Sequence, residues 1–199
     1  MKAVVLAAGL LIASAAPAFA QAGKVTAGFN LGMGFPITPD FDDVADPDLA
    51  LAGHVTVGIA AALAVRGELG QSRFKPSSEF AEFCDAFETA CDQKLNHASI
   101  GIQYGGFGDR GALGLSRARA LPYGFISIGS YQLSGDLTDT DAPRELGFNT
   151  GFGVNIRIDD NVGIQVDVHV HGVRPGQDAA EGESWQYWAT PSAGVWVGF

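Results

Sequence analysis

The side chains able to do acid–base or ligand chemistry fall at alternating positions of extended-looking stretches. They are His54, Arg66, Glu68, Gln103, Asn149, Asn155, Arg157, Gln165, Asp167, His169 and His171. His169 and His171 stand two apart, so both imidazoles leave one face of a strand. Such a pair suits a transition metal, but zinc sites use three or four protein ligands and no third is evident nearby. Asp40, Asp42, Asp43, Asp46 and Asp48 offer oxygens to calcium or magnesium, yet the glycine-turn spacing of a calcium loop is missing. A solvated acidic connection is the plainer account of that run. No Ser–His–acid arrangement is suggested anywhere, so the reading is of a protein without catalytic residues, metal or cofactor.

The two cysteines, Cys84 and Cys91, sit in one connection between strands. In an exported chain an even pair in one loop is read most simply as a disulfide. One conflict stands beside that reading. Phe80, Phe83, Phe87 and Cys91 also share one face of a short helix. On an unbroken helix the 1.5 Å rise would hold the cysteines about 10.5 Å apart, too far to bond. The phenylalanines either pack over a barrel mouth or form an exposed anchor.

The elements that must carry these residues are strands. Lys24 to Phe35 alternates Val25, Ala27, Phe29, Leu31, Met33 and Phe35 against Thr26, Gly28, Asn30, Gly32 and Gly34. A loop over Pro36 to Asp48 follows. Further strands are read at Ala50 to Ile59, Leu63 to Phe74, Leu95 to Gly105, Leu121 to Leu133, Leu146 to Ile158, Val162 to Val173 and Trp185 to Phe199. In the fifth, Tyr123, Phe125, Tyr131 and Leu133 share one parity and Ile126 and Ile128 the other, so its outward face is open. The sixth and seventh are firmer. Phe152, Val154, Ile156 and Ile158 must oppose Val162, Ile164, Val166, Val168 and Val170, because paired residues point to one face. Both sets are even-numbered, which requires an odd connection. Asp159-Asp160-Asn161 supplies three residues, setting Ile156 opposite Ile164 and Val154 opposite Val166. A turn at Ala60-Ala61-Ala62 sets His54 opposite Glu68 and Thr56 opposite Arg66.

Residues 1–20 read as a cleaved signal peptide: Lys2, the apolar run Ala3 to Ala16, then the small-x-small site Ala18-Phe19-Ala20. Residues 21–199 are then one exported domain. Beyond Ala20 no apolar run reaches the roughly eighteen residues that a spanning helix needs. Hydrophobic residues nevertheless make up 47% of the chain and charged ones 17%, with 27 glycines. That combination favours an all-β barrel. The net charge of -10 argues against nucleic acid as a partner. The acids gather in Asp40–Asp48, Glu79–Asp92, Asp136–Glu145 and Asp178–Glu183, whereas Arg110, Arg117 and Arg119 share another connection.

Several segments together resemble one family. Ala64-Val-Arg-Gly-Glu-Leu-Gly70, Leu121-Pro-Tyr-Gly124, Gly151-Phe-Gly-Val-Asn-Ile-Arg-Ile-Asp159 and the closing Ala189-Thr-Pro-Ser-Ala-Gly-Val-Trp-Val-Gly-Phe199 are similar in style and order to the small outer-membrane β-barrels. These are the OmpX-like and opacity-protein-like "porin family" proteins and the membrane domain of OmpA. The resemblance covers essentially the whole of 21–199. It implies an eight-stranded antiparallel up-and-down transmembrane β-barrel, likened to OmpA without its peptidoglycan-binding domain. It further implies short periplasmic turns and longer outer loops, with the acidic segments outside and the Arg110–Arg119 connection periplasmic.

The same resemblance places the chain in the outer membrane as a monomer, among lipid and lipopolysaccharide. It makes Phe199 the signal read by the barrel-assembly machinery, and makes a host or envelope surface the candidate partner. An eight-stranded barrel has room inside only for side chains. His54, Arg66, Glu68, Arg157 and Asp167 are therefore expected as the centre of a polar lumen network, with the charges paired. Trp196 is expected inside the barrel, and Trp185, Tyr187 and Trp188 in an interfacial aromatic girdle. A structural or surface-interaction role is the expected function, with a narrow ion channel as the alternative. A lipid A-modifying enzyme is a weaker one, because Val168-His-Val-His-Gly172 has glycine where the nucleophilic segment of the family's deacylases would begin.

Overall fold

The computed structural model describes residues 25–60, 62–86, 91–106, 119–135, 144–174 and 185–199. Its strands are β1 (Val25–Pro36), β2 (Ala45–Gly58), β3 (Leu63–Pro76), β4 (Gln93–Gly105), β5 (Ala120–Gly135), β6 (Arg144–Asp159), β7 (Val162–Val173) and β8 (Gln186–Gly198). Two short helices, α1 (Pro39–Asp42) and α2 (Ser78–Ala86), lie in the connections β1–β2 and β3–β4. Each strand pairs antiparallel with its chain neighbours, and β1 closes on β8 through pairs such as Ala27 with Val197 and Leu31 with Ala193. Closure leaves neither edge strand open. Every described strand therefore satisfies its backbone on both sides without water. No described helix is long and apolar enough to cross a membrane.

Period-two alternation becomes an outside and an inside. Phe29, Leu31, Met33, Leu69, Ile100, Ile102, Phe152, Ile156, Val166 and Val195 stand exposed on the outer wall, while polar residues fill the interior. An apolar belt on the outside and polar groups within is the pattern that a hydrocarbon surround requires. The register of β2 on β3 pairs His54 with Glu68 and Thr56 with Arg66, and β6 on β7 pairs Ile156 with Ile164 and Val154 with Val166, as the parity argument required.

Two details differ from the sequence expectation and a third decides a face that it left open. First, β2 begins at Ala45, so the Pro36–Asp48 loop is shorter than read. Asp46 pairs with Lys75, and the register slips between Pro47 and Ala50. Proline is tolerated there because it sits at an irregularity, where no ladder donor is needed. Second, the β6–β7 connection is a two-residue turn with a bulge, since Arg157 pairs with Gly163 but Asp159 with Val162. The odd residue demanded by parity goes into the bulge instead of the loop. Third, β5 turns its aromatics inward. Tyr123, Phe125 and Tyr131 are buried, while Ile126 and Ile128 are 62% and 64% exposed.

The barrel has two unlike ends. One carries the tight β2–β3 and β6–β7 turns and Phe199, whose backbone N–H donates to the Val25 carbonyl at 2.8 Å. The other carries α1 and α2. Short turns on the periplasmic side and longer loops outside are the rule for such barrels, so α1 and α2 mark the outer end. Residues 1–20, Phe87, Arg110, Arg117 and the acidic segments 136–143 and 178–183 lie outside the described residues.

Candidate functional site

The interior is organised around two carboxylates. Glu68 on β3 and Arg66 two residues before it point to the same face, which lets the guanidinium fold back onto its own strand. Arg66 Nη2 donates to Glu68 Oε2 at 2.6 Å and Nε to the same oxygen at 3.2 Å, with both side chains 1% exposed. The other guanidinium nitrogen, Nη1, donates to Gln103 Oε1 on β4 at 3.1 Å, and the cation lies 4.5 Å from the centre of the Phe125 ring. Burial in a low dielectric strengthens each of these contacts and makes the loss of any one of them expensive. The second oxygen of Glu68 accepts from Asn149 Nδ2 at 2.9 Å and lies 3.2 Å from His97 Nε2 and 3.6 Å from His169 Nδ1.

Asp167 on β7 is the second centre. Its carboxylate accepts from Asn30 Nδ2 (2.9 Å), Tyr123 Oη (2.6 Å), Gln165 Nε2 (2.6 Å) and the Ser192 hydroxyl. His169 Nε2 lies 3.1 Å from the same group. The donors come from β1, β5, β7 and β8, so this one carboxylate ties the closing seam to the far wall. Ser192, Asp167 and His169 do not form a hydrolytic triad. The Asp167 carboxylate, not the imidazole, receives the serine hydroxyl, so the Ser–His contact on which such a triad depends is not made.

Towards the outer end the lumen turns aromatic. The His171 ring stacks on Trp188 at 4.7 Å with 5° between planes, and its Nδ1 lies 3.3 Å from Tyr131 Oη. Trp188 Nε1 donates to Ser72 Oγ at 3.3 Å, and Phe41 from α1 packs edge-on to Phe74 at 4.8 Å. Phe41, Ala45, Phe74, Leu95, Tyr131, Val173 and Trp188 thus form one apolar cluster across the outer mouth. The loop carrying Phe41 is pinned to β8: Ile37 N donates to the Tyr187 carbonyl (2.9 Å), and Tyr187 N donates to Thr38 Oγ1 (2.6 Å).

Trp188 is therefore not part of an aromatic girdle. It is 0% exposed, because even-numbered residues of β8 point inward together with Ser192 and Trp196. Trp185 and Tyr187, which stack at 6.3 Å, stay on the outside with Phe148 beside them. His54, Arg66, Glu68 and Asp167 are all buried in the lumen. Arg157 is only half-buried, near the periplasmic end, where its backbone N–H donates to the Arg119 carbonyl at 2.7 Å. His97, Tyr123, Tyr131 and Phe41 are members that the sequence reading had not placed in the network. His97 shares its parity with Gln103 and was within reach of that reading; Phe41 sits in a loop and gave no periodic signal. Among the described residues no group of three or more His, Cys, Asp or Glu side chains is arranged to hold a metal ion.

Cys84 and Cys91 are joined, with Cα atoms 6.1 Å apart. The helical conflict resolves because α2 ends at Ala86, before the second cysteine. Ser77 ties this outer segment to the α1 loop by donating from Oγ to the Asp43 carbonyl at 2.7 Å. Phe80 and Phe83 stack at 5.9 Å, and Phe83 is 57% exposed. Disulfides of this kind contribute about 2–4 kcal/mol, mostly by restricting the opened chain. Reduction is therefore expected to hasten proteolysis between α2 and β4 and to leave the barrel intact. Limited proteolysis read beside heat-modifiable gel mobility checks both halves of that expectation.

The family model described as an outer membrane protein beta-barrel domain matches residues 5–187. No curated protein matches the sequence. Among solved structures the chain is similar to Neisserial surface protein A, at 15% identity and TM-score 0.61, over 89% of this chain and 97% of that one. It is also similar to OprG from Pseudomonas aeruginosa, at 12% identity and TM-score 0.52, over 89% and 96%. Ail, the attachment invasion locus protein of Yersinia pestis, aligns at 11% identity and TM-score 0.50 over 89% and 99%. At such identities the likeness is one of fold.

Proposed function

Since the chain belongs to the outer-membrane β-barrel family and is integral to the outer membrane, we propose that it is a closed barrel acting through its outer surface, in adhesion or envelope integrity. The observation that carries this reading is the occluded lumen. Arg66, Glu68, Asp167 and their partners fill the middle, and Phe41, Phe74 and Trp188 pack across the outer mouth. Water-filled passages belong to much wider barrels. An ion entering here would have to displace paired charges and then an aromatic plug.

What supports a surface role is the construction of the outer end. The helix α2 exposes Glu79, Glu82, Phe83 and Asp85 on a segment held by the Cys84–Cys91 bond and by Ser77. Acidic side chains around an exposed aromatic ring favour a partner that is cationic and partly apolar. Lipid and lipopolysaccharide surround the wall, whereas the host or envelope partner is recognised at this end.

Planar-bilayer recording tests the closed barrel. The purified protein is expected to insert without discrete conductance steps. Steps that disappear on replacing Arg66 or Glu68 would establish the narrow-channel alternative instead. The surface role is read on cells displaying the protein. Replacing Glu79, Glu82 and Phe83 together is expected to remove their adhesion to epithelial monolayers while the folded gel band persists.

A further inference from the structure

The buried charges of the described lumen do not balance if every histidine is neutral. Glu68 and Asp167 supply two negative charges, and Arg66 is the one fully buried guanidinium. A buried carboxylate without a cation is costly, so this closed interior calls for a second positive group. The geometry points to His169: we propose that its imidazole is the lumen's second cation, shared between Glu68 and Asp167.

The chain has four histidines, and all of them lie in this interior. Only His169 places both ring nitrogens against carboxylates. Nδ1 is 3.6 Å from Glu68 Oε1 and Nε2 is 3.1 Å from Asp167 Oδ2. Neither contact is a short, well-directed hydrogen bond, and Nε2, like Nδ1 of His54 and His97, has no hydrogen-bond partner; attraction between ions does not depend on such alignment. The other three are placed differently. His97 reaches Glu68 through Nε2 alone, and its Nδ1 has no hydrogen-bond partner in the lumen. His171 meets the Tyr131 hydroxyl and the Trp188 face, with no carboxylate in hydrogen-bond reach. His54 packs over Gly28, where a Cβ would overlap its ring, and its Nδ1 also lacks a partner. The rings packed against His169 are Phe125, edge-on at 4.8 Å, and His171 at 5.8 Å, and His54 lies within its electrostatic reach.

The arrangement makes a quartet in which charges alternate: Arg66, Glu68, His169, Asp167. Strand β3 contributes the first two and β7 the last two, so the quartet spans the barrel from wall to wall. Arg66 neutralises Glu68 from below, and His169 links that pair to the carboxylate gathering β1, β5 and β8. This inference concerns the interior and holds whatever the outer end binds.

Nitrogen-15 NMR of histidine-labelled protein, folded in phospholipid nanodiscs at pH 7, tests it. Four imidazoles give four resolvable signal sets. One set is expected to show both ring nitrogens protonated, and the His169→Gln variant is expected to lack it. In the Asp167→Asn variant one carboxylate is gone, and the same imidazole is expected to revert to the neutral pattern. Four neutral imidazoles in the wild type would overturn the assignment. So would a doubly protonated set that survives His169→Gln or is unchanged in Asp167→Asn. If the glutamine variant does not fold, the asparagine variant decides alone.

Discussion

Arg66→Met is expected to cost the barrel about 3–5 kcal/mol of folding stability, the usual penalty for removing one partner of a buried ion pair. The guanidinium is enclosed, holds Glu68 through two nitrogens, holds Gln103 through the third and covers the Phe125 ring. Methionine replaces the stem but none of the donors. Glu68 would then keep Asn149 and its histidine neighbours while losing its strongest cation. Urea unfolding in phospholipid vesicles, followed by heat-modifiable gel mobility, measures the loss. The control is the double variant Arg66→Met/Glu68→Gln, which removes the charge along with its partner. It should recover a large share of the stability, because the penalty lies in the unpaired carboxylate more than in the lost bonds. A single variant within 1 kcal/mol of wild type, by the same pairing argument, would mean that the lumen is wetter than this packing implies.

Gly194→Val should do still more damage, leaving little or no folded band. Gly194 pairs with Asn30 at the β8–β1 seam, the last contact needed to close the cylinder. A Cβ there would overlap the Phe29 carbonyl oxygen and the Asn30 side chain. Overpacking that side chains can absorb costs about 1–3 kcal/mol, but here a backbone oxygen would have to retreat. Displacing Asn30 would also withdraw a donor from Asp167. The matched control is Gly67→Ala on the outer wall, where an added Cβ meets nothing within 4 Å. That variant is expected to fold like wild type. If both variants fold equally well, closure does not depend on close approach at the seam.

These expectations rest on parts of the molecule that differ in how far the sequence revealed them. The inward set of β7, with Gln165, Asp167, His169 and His171, follows from alternation alone, since a strand has two faces and one of them here is unbroken valine and isoleucine. The pairings of His54 with Glu68 and of Ile156 with Ile164 follow from parity, because a slip of one residue would turn a whole face inside out. The two-residue turn with its bulge in place of a three-residue loop lay beyond that arithmetic, which counts residues without saying where the odd one goes. Trp188 could have been placed by the same count as Trp196; its position near a rim suggested a girdle, and the even parity of β8 decided otherwise.

Sequence alone determined the eight strands, the faces of all but the fifth, and the registers of β2 on β3 and β6 on β7, and with them an apolar outside and a polar inside. Those are properties of one strand or of two adjacent ones. Tertiary structure decided what required three or more walls at once. The inward face of β5 is settled by Tyr123 reaching Asp167 and Tyr131 reaching His171 on β7, over Gly153 and Gly147 of the intervening β6. The Phe41 plug depends on an aperiodic loop folding over the mouth, and the placement of His169 between two carboxylates depends on β3 and β7 facing each other across the lumen. Alternation says that a side chain points inward. Only closure of the sheet says what it meets there, because the distance across the barrel is set by all eight strands together.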